Sequence, residues 1–244
     1  MTCLWLRGIL PETFVEIPPE DLPVEEETIE WTNPQGLTIS SGLYYGDASG
    51  GIYNQYRDIR RVGCSFTQVD NVGELVLTAS FPLPGETQTV PRGELFAVLQ
   101  LVKPAEVMPV LEYVSDNMGV YQTFNEGPKA GCLSMKCDLY HELFQLTIRK
   151  GIIQKIRWMP AHIHEKEAGG NFVRPPGVTD LDSKANDYAD DFANKASERA
   201  NVSLHTAANI KYWFRLAARI QWVYVSILTC LLLGQGRAAL NNVG

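Results

Sequence analysis

The order of its apolar segments is what most constrains the fold of this chain. Three segments typical of strands come first, at residues 43–47, 62–69 and 74–81, and Asp70 and Asn71 predict a hairpin turn between the last two. The helices and strands predicted after them alternate, and they lie at residues 92–102, 110–115, 138–150, 152–159 and 183–199. This order predicts an α/β fold, in which a mixed sheet carries helices on both faces.

Composition divides the chain into three predicted parts. Residues 1–40 hold eight acidic residues, one basic residue and five prolines, which is typical of an arm or linker that buries no core of its own. Residues 41–199 hold the alternating pattern and predict one domain. Residues 200–244 contain no acidic residue and predict a helical C-terminal extension, with a helical pattern over residues 205–233.

The distribution of charge leaves nucleic acid open as a partner. The formal net charge is −7, and residues 1–40 alone account for a charge of −7. In the extension, Lys211, Arg215 and Arg219 recur every four residues and predict one basic face of a helix. Two interpretations of that face stay open: it captures a nucleic-acid substrate, or it is the solvated side of a helix that packs on the domain.

Three features predict a soluble protein of a reducing, intracellular compartment. The five cysteines are odd in number and lack CxxC spacing, so neither a disulfide framework nor a zinc site is expected. The first ten residues lack the early basic residue of a secretory signal peptide. The apolar segment at residues 222–233 is too short to span a bilayer core of about 30 Å as a helix.

Four carboxylates fall at positions that this layout brings together. Asp47 ends the first strand and Asp116 ends the fourth, so both would leave the sheet at its carboxyl edge if these strands are parallel neighbours. Glu94 lies in the first turn of a helix, and Asp190 lies in the middle of another. Each position alone is also typical of a turn, a helix terminus or a solvated face. Clustered carboxylates repel one another unless cations lie among them, and their oxygens suit Mg²⁺ or Mn²⁺.

Five short motifs, in this order along the chain, resemble those of the type 1 ribonuclease H family. They are YGDASGG (residues 45–51), PRGELFA (91–97), VSDN (114–117), WMPAH (158–162) and NDYADDFA (186–193). The resemblance covers residues 41–199 and implies a three-layer ribonuclease H-like fold with a five-stranded mixed sheet. It also implies endonucleolytic hydrolysis of the RNA strand of RNA–DNA hybrids with two Mg²⁺ ions, for which Mn²⁺ is expected to substitute.

The resemblance also implies a role for each matching residue. Asp47 would bridge the two metal ions, Glu94 and Asp116 would complete the metal and water shell, and Asp190 would hold the second ion. His162 matches the histidine of a mobile loop that assists proton transfer or product release. All five residues are therefore expected to be catalytic, and the four carboxylates are expected to be metal ligands.

Two residues of these motifs depart from the family's pattern. Ala48 and Asn117 stand where the family has glycine and serine, and His164 lies only two residues from His162.

The acidic lead-in and the basic helical tail resemble the flanks of a ribonuclease H segment in a retrotransposon polyprotein, with a reverse transcriptase as a partner. Two alternatives stay open: a catalytically degenerate nucleic-acid-binding domain of a retroelement, and another nuclease or transposase of the same superfold.

Overall fold

The computed structural model describes residues 2–32, 38–170 and 172–241, with side chains up to residue 231 of the last segment. Residues 33–37 of the predicted arm, Asn171 of the predicted loop and residues 242–244 of the predicted extension lie outside the described residues. The helices are α1 (Thr2–Arg7), α2 (Val90–Val102), α3 (Met118–Glu126), α4 (Pro128–Leu133), α5 (Cys137–Lys150), α6 (Ile163–Ala168), α7 (Asp180–Ala200) and α8 (Leu204–Asn241). The strands are β1 (Glu30–Thr32), β2 (Gly42–Ser49), β3 (Gly63–Val69), β4 (Leu75–Pro82), β5 (Val110–Ser115) and β6 (Ile153–Trp158).

The chain forms two compact units, and the larger one, Pro23–Asn201, contains the sheet. The strand order is β1-β4-β3-β2-β5-β6. The first four strands in this order pair antiparallel, whereas β2 pairs parallel with β5 and β5 pairs parallel with β6. The predicted hairpin joins β3 to β4, where the Asp70 carboxylate accepts the N–H groups of Val72 and Glu74. The predicted α/β fold with a mixed sheet is therefore confirmed.

The sheet has six strands, so the expected number of five is wrong by one. The additional strand β1 pairs with β4, from Glu30 opposite Ser80 to Thr32 opposite Thr78. Its three residues are too few to show an alternating pattern, and they follow a run of acidic residues that favours a linker. The pairing satisfies the backbone groups of an edge that would otherwise be open, and Trp31 lies edge-on to Phe66 at 5.7 Å between ring centroids.

Helices cover both faces of the sheet. On one face, α2 packs against β2 and β3, and α5 packs against α2. The core on this face contains the fully buried Leu95, Leu99 and Phe66. On the other face, α7 packs against β2, β3 and β4, and the core there is smaller and contains Ala185 and Ala189. The three layers that the family resemblance implies are thus present.

Small residues on β3 and α7 allow this helix to lie very close to the sheet. The Ser65 hydroxyl donates to the carbonyl of Ala189 at 2.5 Å, and the Thr67 hydroxyl donates to the carbonyl of Ala185 at 3.3 Å. At the next position on the same face of β3, a Cβ on Gly63 would lie 2.1 Å from the carbonyl oxygen of Ala193. These contacts set the position of α7 along the sheet.

The sequence patterns did not predict four short helices, of which α1 lies in the expected arm. α3 and α4 lie in a segment without an assigned pattern, and α6 lies inside residues 161–178, which were expected to be a loop. Helices of six to nine residues span too few turns to show a clear apolar period. α3 is nonetheless capped locally, since the Asn117 side chain accepts the N–H of Val120 at 3.2 Å.

The smaller unit consists of Met1–Leu22 and Val202–Gly244. Its main element is α8, which begins one residue before the predicted helix. The Asp21 carboxylate accepts the Ser203 N–H at 2.8 Å at the start of α8, and Phe14 packs on Trp213 at 4.4 Å between ring centroids. Lys211, Arg215 and Arg219 line one groove along α8, as the spacing predicts. Among the described residues, no helix is long and apolar enough to cross a membrane.

Candidate metal centre

Parallel pairing of β2 and β5 brings two of the predicted carboxylates to one edge of the sheet. Tyr45 lies opposite Val114, so Asp47 near the end of β2 and Asp116 just after β5 are neighbours. The third carboxylate, Glu94, comes from the first turns of α2. Asp47 is only 7% exposed and Glu94 only 2%. One carboxylate oxygen from each of the three residues lies within 4.8 Å of the others.

A glycine allows α2 to deliver Glu94 to this edge. A Cβ on Gly93 would lie 2.7 Å from a methyl group of Val62 and 2.8 Å from the Cβ of Ala48. Any larger residue at position 93 would push α2 away from β2 and β3. Ala48, which stands where the family has glycine, therefore packs directly beneath the first turn of α2.

Few hydrogen bonds compensate the buried carboxylates. The Ala48 N–H donates to Asp47 Oδ1 at 2.6 Å and to Glu94 Oε1 at 3.3 Å. The Ser115 hydroxyl donates to Glu94 Oε2 at 3.4 Å. No basic side chain forms an ion pair with any of the three carboxylates in the part of the chain that the structure describes. Negative charge in this cluster is therefore poorly balanced by the protein itself.

The pKa values of the three carboxyl groups reflect that imbalance. Burial, followed by the charge of Asp116, raises the pKa of Asp47 to about 7. Burial and the charge of Asp47 raise the pKa of Glu94 well above its usual range. Burial also raises the pKa of Asp116, although His162 and Lys166 oppose this shift when they are positively charged. Ionising the whole cluster without a cation therefore opposes folding.

We predict that the free energy of unfolding of the metal-free protein falls as the pH rises from about 4 to about 8. The folded protein holds protons on groups whose pKa exceeds the unfolded value, so stability is full below about pH 4 and is lost as the pH passes about 7. The expected loss between pH 4 and pH 8 is roughly 2–4 kcal/mol in EDTA. Urea unfolding at both values tests it. Millimolar Mg²⁺ should restore stability at pH 8 and not at pH 4, and a metal-free profile flat to pH 8 would contradict the prediction.

The fourth predicted carboxylate, Asp190, lies beside the cluster on α7. It is half-buried and is not part of the group of three within 4.8 Å. Its charge raises the pKa of both Asp47 and Asp116, which shows that it acts on the same site. Asn194 Nδ2 donates to Asp190 Oδ1 at 3.1 Å, and the Ser49 hydroxyl donates to Asn194 Oδ1 at 2.5 Å. Strand β2 thus holds Asp47 and, through Ser49 and Asn194, also orients Asp190.

The structure distinguishes the two candidate histidines. His162 immediately precedes α6, is exposed, and has a left-handed backbone with φ of +49°. Its charge, when protonated, lowers the pKa of Asp116. His164 instead places Nε2 at 3.7 Å from Asp187 Oδ2. His162 is therefore the histidine that acts electrostatically on the carboxylate cluster, and its catalytic role stays a prediction.

Sequence reasoning missed three residues that act on the site. Ser115 and Asn194 hydrogen-bond Glu94 and Asp190, and Lys166 of α6 lowers the pKa of Asp116. The spacing of Asn194, four residues after Asp190, was a readable signal because such side chains are neighbours on a helix. Lys166 was missed because α6 lies in a segment that was expected to be a loop, so its spacing from His162 was not considered.

The residues at this edge fit a divalent metal ion. Their oxygens are hard ligands of the kind that Mg²⁺ and Mn²⁺ prefer. Burial and then mutual repulsion raise the three pKa values, and a bound cation would offset both by supplying the counter-charge that the protein lacks. The buried group of Asp47, Glu94 and Asp116 could therefore bind a metal ion.

No protein-family model matches the sequence, and no curated protein matches it. Similar solved structures include the ribonuclease H domain of prototype foamy virus, at 16% identity and a TM-score of 0.47 over 65% of this chain and 95% of that domain. Another is ribonuclease H1 from the halophilic archaeon Halobacterium salinarum, at 14% identity and a TM-score of 0.41 over 64% of this chain and 97% of that enzyme. A third is the protease–reverse transcriptase of prototype foamy virus, at 17% identity and a TM-score of 0.46 over 64% of this chain. This chain spans only 20% of the length of that viral protein.

Proposed function

We propose that this chain is a metal-dependent endonuclease that hydrolyses the RNA strand of RNA–DNA hybrids. The observation that carries the proposal is the convergence of Asp47, Glu94 and Asp116 within 4.8 Å at the carboxyl edge of a mixed sheet, with no basic ion-pair partner among the described residues. The five motifs that resemble the type 1 ribonuclease H family lie on the elements that build this edge. The resemblance supports a hybrid as the substrate.

In this proposal the four carboxylates hold two Mg²⁺ ions, for which Mn²⁺ would substitute. Bound ions of this kind lower the pKa of water and stabilise the leaving oxygen of a phosphodiester. Asp47 lies within 4.8 Å of both Glu94 and Asp116, and the charge of Asp190 raises its pKa. Glu94 is held in place by the Ala48 N–H and the Ser115 hydroxyl. Because Asp47 and Glu94 have raised pKa values, loading the site releases protons from them and becomes more favourable as the pH rises.

His162 is proposed to transfer a proton to or from the reacting groups at the rim of the site. It is exposed, so a proton can exchange with solvent, and it acts on Asp116 electrostatically. We predict that His162→Ala lowers the turnover rate by about 10² to 10⁴-fold, the usual effect of losing a general acid or base, with a smaller effect on hybrid affinity. Single-turnover kinetics with labelled hybrid measure both quantities.

His164→Ala is the matched control for that variant, because His164 lies two residues away and contacts Asp187 instead. It should change the rate by less than threefold, within the range of a surface substitution. If His164→Ala proved the more damaging variant, the histidine would be assigned wrongly.

One assay tests the function. The full chain is incubated with labelled RNA–DNA hybrid, duplex DNA and single-stranded RNA, each with Mg²⁺, Mn²⁺ or EDTA. The proposal expects endonucleolytic cleavage of the RNA strand of the hybrid, with either cation and not with EDTA. Hybrid binding without cleavage would support a degenerate binding domain. Cleavage of duplex DNA would support another nuclease or transposase of the same superfold.

The biological context belongs to the same proposal. An origin in a retrotransposon polyprotein, with a reverse transcriptase as partner, is suggested by the acidic lead-in and the basic C-terminal helix. An intracellular location follows from that context. Both stay predictions, and neither is needed for the hydrolysis of hybrids.

A further inference from the structure

We propose that α8 docks on an anionic lipid surface, with its basic face on the headgroups and the segment Trp222–Leu231 inserted into one leaflet. This surface belongs to the smaller unit and is unrelated to the carboxylate cluster. The proposal is therefore independent of the proposed nuclease activity. Four observations carry it: exposure, the distribution of apolar residues around the helix, charge and length.

The two halves of α8 are buried to very different extents. In the first half, Ile210 is fully buried and Ala207 and Ala217 are nearly so. In the second half, large apolar side chains are exposed by 50–69%: Trp222, Val225, Ile227, Leu228 and Leu231. Successive helix residues are about 100° apart, so this run presents apolar surface around the whole circumference. A helix with apolar side chains on all sides is typical of burial in a protein interior or in lipid.

The short N-terminal helix extends the same apolar surface. Trp5 and Leu6 of α1 are 54% and 62% exposed. The Tyr224 hydroxyl donates to the Trp5 carbonyl at 3.0 Å, and Gln221 Nε2 donates to the Gly8 carbonyl at 2.9 Å. These bonds hold α1 beside the exposed half of α8. This apolar patch therefore combines the aromatic side chains of Trp5, Trp222 and Tyr224 with aliphatic side chains from α1 and α8.

Charge identifies the kind of surface that this patch fits. Lys211, Arg215 and Arg219 line one groove of α8, and the helix contains no acidic residue. Cationic side chains next to exposed apolar ones match a layer that is negative outside and hydrocarbon inside. Nucleic acid would satisfy the basic face and would leave the apolar segment in water. A second copy would bring like charges together and would cover only one side of the segment.

The length of the segment and its aromatic residues fit insertion into one leaflet. The apolar run of the sequence, residues 222–233, lies within α8 and extends about 18 Å, which is enough to enter one leaflet and too short to cross a hydrocarbon core of about 30 Å. Trp222 and Tyr224 follow Arg219, the last basic residue of the groove, and precede the exposed Val225, Ile227, Leu228 and Leu231. Tryptophan and tyrosine favour this position at a membrane interface, because one part of the ring system is apolar and another part forms hydrogen bonds.

The test is flotation of the full chain with two kinds of vesicle, phosphatidylcholine alone and phosphatidylcholine with about one third phosphatidylserine. We expect binding to the anionic vesicles and much weaker binding to the neutral ones. The triple variant Lys211→Ala/Arg215→Ala/Arg219→Ala should have a partition coefficient lower on the order of 10²-fold. Each lost charge contributes roughly a fivefold decrease. A triple variant of exposed basic residues of the other unit, Arg57→Ala/Lys129→Ala/Lys155→Ala, is the matched control and should bind as the wild type does.

The apolar contribution has its own variants. Val225→Glu/Leu228→Glu should lower binding to anionic vesicles by about 100-fold or more, because two apolar side chains no longer enter the leaflet. Val72→Glu is the control, since Val72 is 76% exposed in the other unit. Quenching of tryptophan fluorescence by brominated lipids reports insertion directly. The wild type should be quenched strongly, and Trp5→Phe/Trp222→Phe, which lacks both exposed indole rings of the patch, should be quenched much less.

Three results would overturn the proposal. The first is absence of binding to anionic vesicles, or equal binding to both vesicle types. The second concerns the triple basic variant: the wild type binds RNA–DNA hybrid tightly, and the variant loses this binding but still binds lipid as the wild type does. That result would assign the basic face to nucleic acid. The third is a dimer in light scattering that Val225→Glu/Leu228→Glu dissociates, in a protein that does not float with vesicles.

Discussion

Asp47→Asn is expected to lower Mg²⁺-dependent cleavage of RNA–DNA hybrid by at least about 10³-fold, because several kcal/mol of transition-state stabilisation depend on the bound ions. Asp47 is a buried member of the group of three carboxylates, and its charge raises the pKa of Glu94. The amide keeps the size of the side chain. The comparison is made at pH 8, where the carboxyl group of the wild type is ionised.

The same variant should be more stable than the wild type when metal is absent. Ionised Asp47 lies buried beside two other carboxyl groups, and its removal relieves that repulsion. We expect the free energy of unfolding in EDTA at pH 8 to rise by roughly 1–3 kcal/mol, and the gain should disappear at pH 4, where the wild-type group is protonated. Urea unfolding measures this change. A variant that is inactive and also more stable cannot owe its inactivity to misfolding.

Asp191→Asn is the matched control for that experiment. Asp191 lies on α7 next to Asp190, but its side chain is exposed and pairs with Lys195 at 2.6 Å. An exposed pair of this kind contributes little, so activity and stability should stay close to wild type. Near-normal Mg²⁺-dependent cleavage by Asp47→Asn would refute the metal centre, whatever the control shows.

Gly63→Ala is expected to destabilise the sheet unit strongly. The added Cβ would lie 2.1 Å from the Ala193 carbonyl oxygen and 2.2 Å from the Ser197 backbone nitrogen. Both atoms belong to the backbone of α7, so no side-chain rotation relieves the clash and the helix itself must move. We expect a loss of about 3 kcal/mol or more, which lowers the thermal midpoint by roughly 6 to 12 °C.

Activity should fall together with stability in Gly63→Ala, even at a temperature where the variant is folded. α7 carries Asp190, and moving the helix away from β3 moves that carboxylate away from Asp47. Gly169→Ala is the control, because an added Cβ there would meet only ordinary contacts at 3.4 Å or more. Circular dichroism melting and hybrid cleavage measure the two effects. A Gly63→Ala protein with a wild-type midpoint would show that α7 does not lie as close to β3 as described.

Some features of the site could be read from the chain because they depend on local order. Short apolar runs that end in turn residues predict strands that end at Asp47 and Asp116, and the periodicity of α2 and α7 places Glu94 and Asp190 on helices. These patterns arise from the geometry of a single strand or helix, whose period is a property of the local backbone. They predict the α/β class, the hairpin at Asp70 and the candidate carboxylates.

Other features depend on contacts between segments that are far apart in the chain, and no local pattern encodes such contacts. The parallel pairing of β2 with β5 decides that Asp47 and Asp116 meet, and the close approach at Gly93 decides that Glu94 joins them. The edge strand β1 forms because β4 offers unpaired backbone groups, although its three residues carry no strand pattern. Sequence alone therefore determined which residues could form a metal centre. Only the tertiary structure decided that they are buried together, since burial and mutual repulsion exist only once the strands and helices are packed.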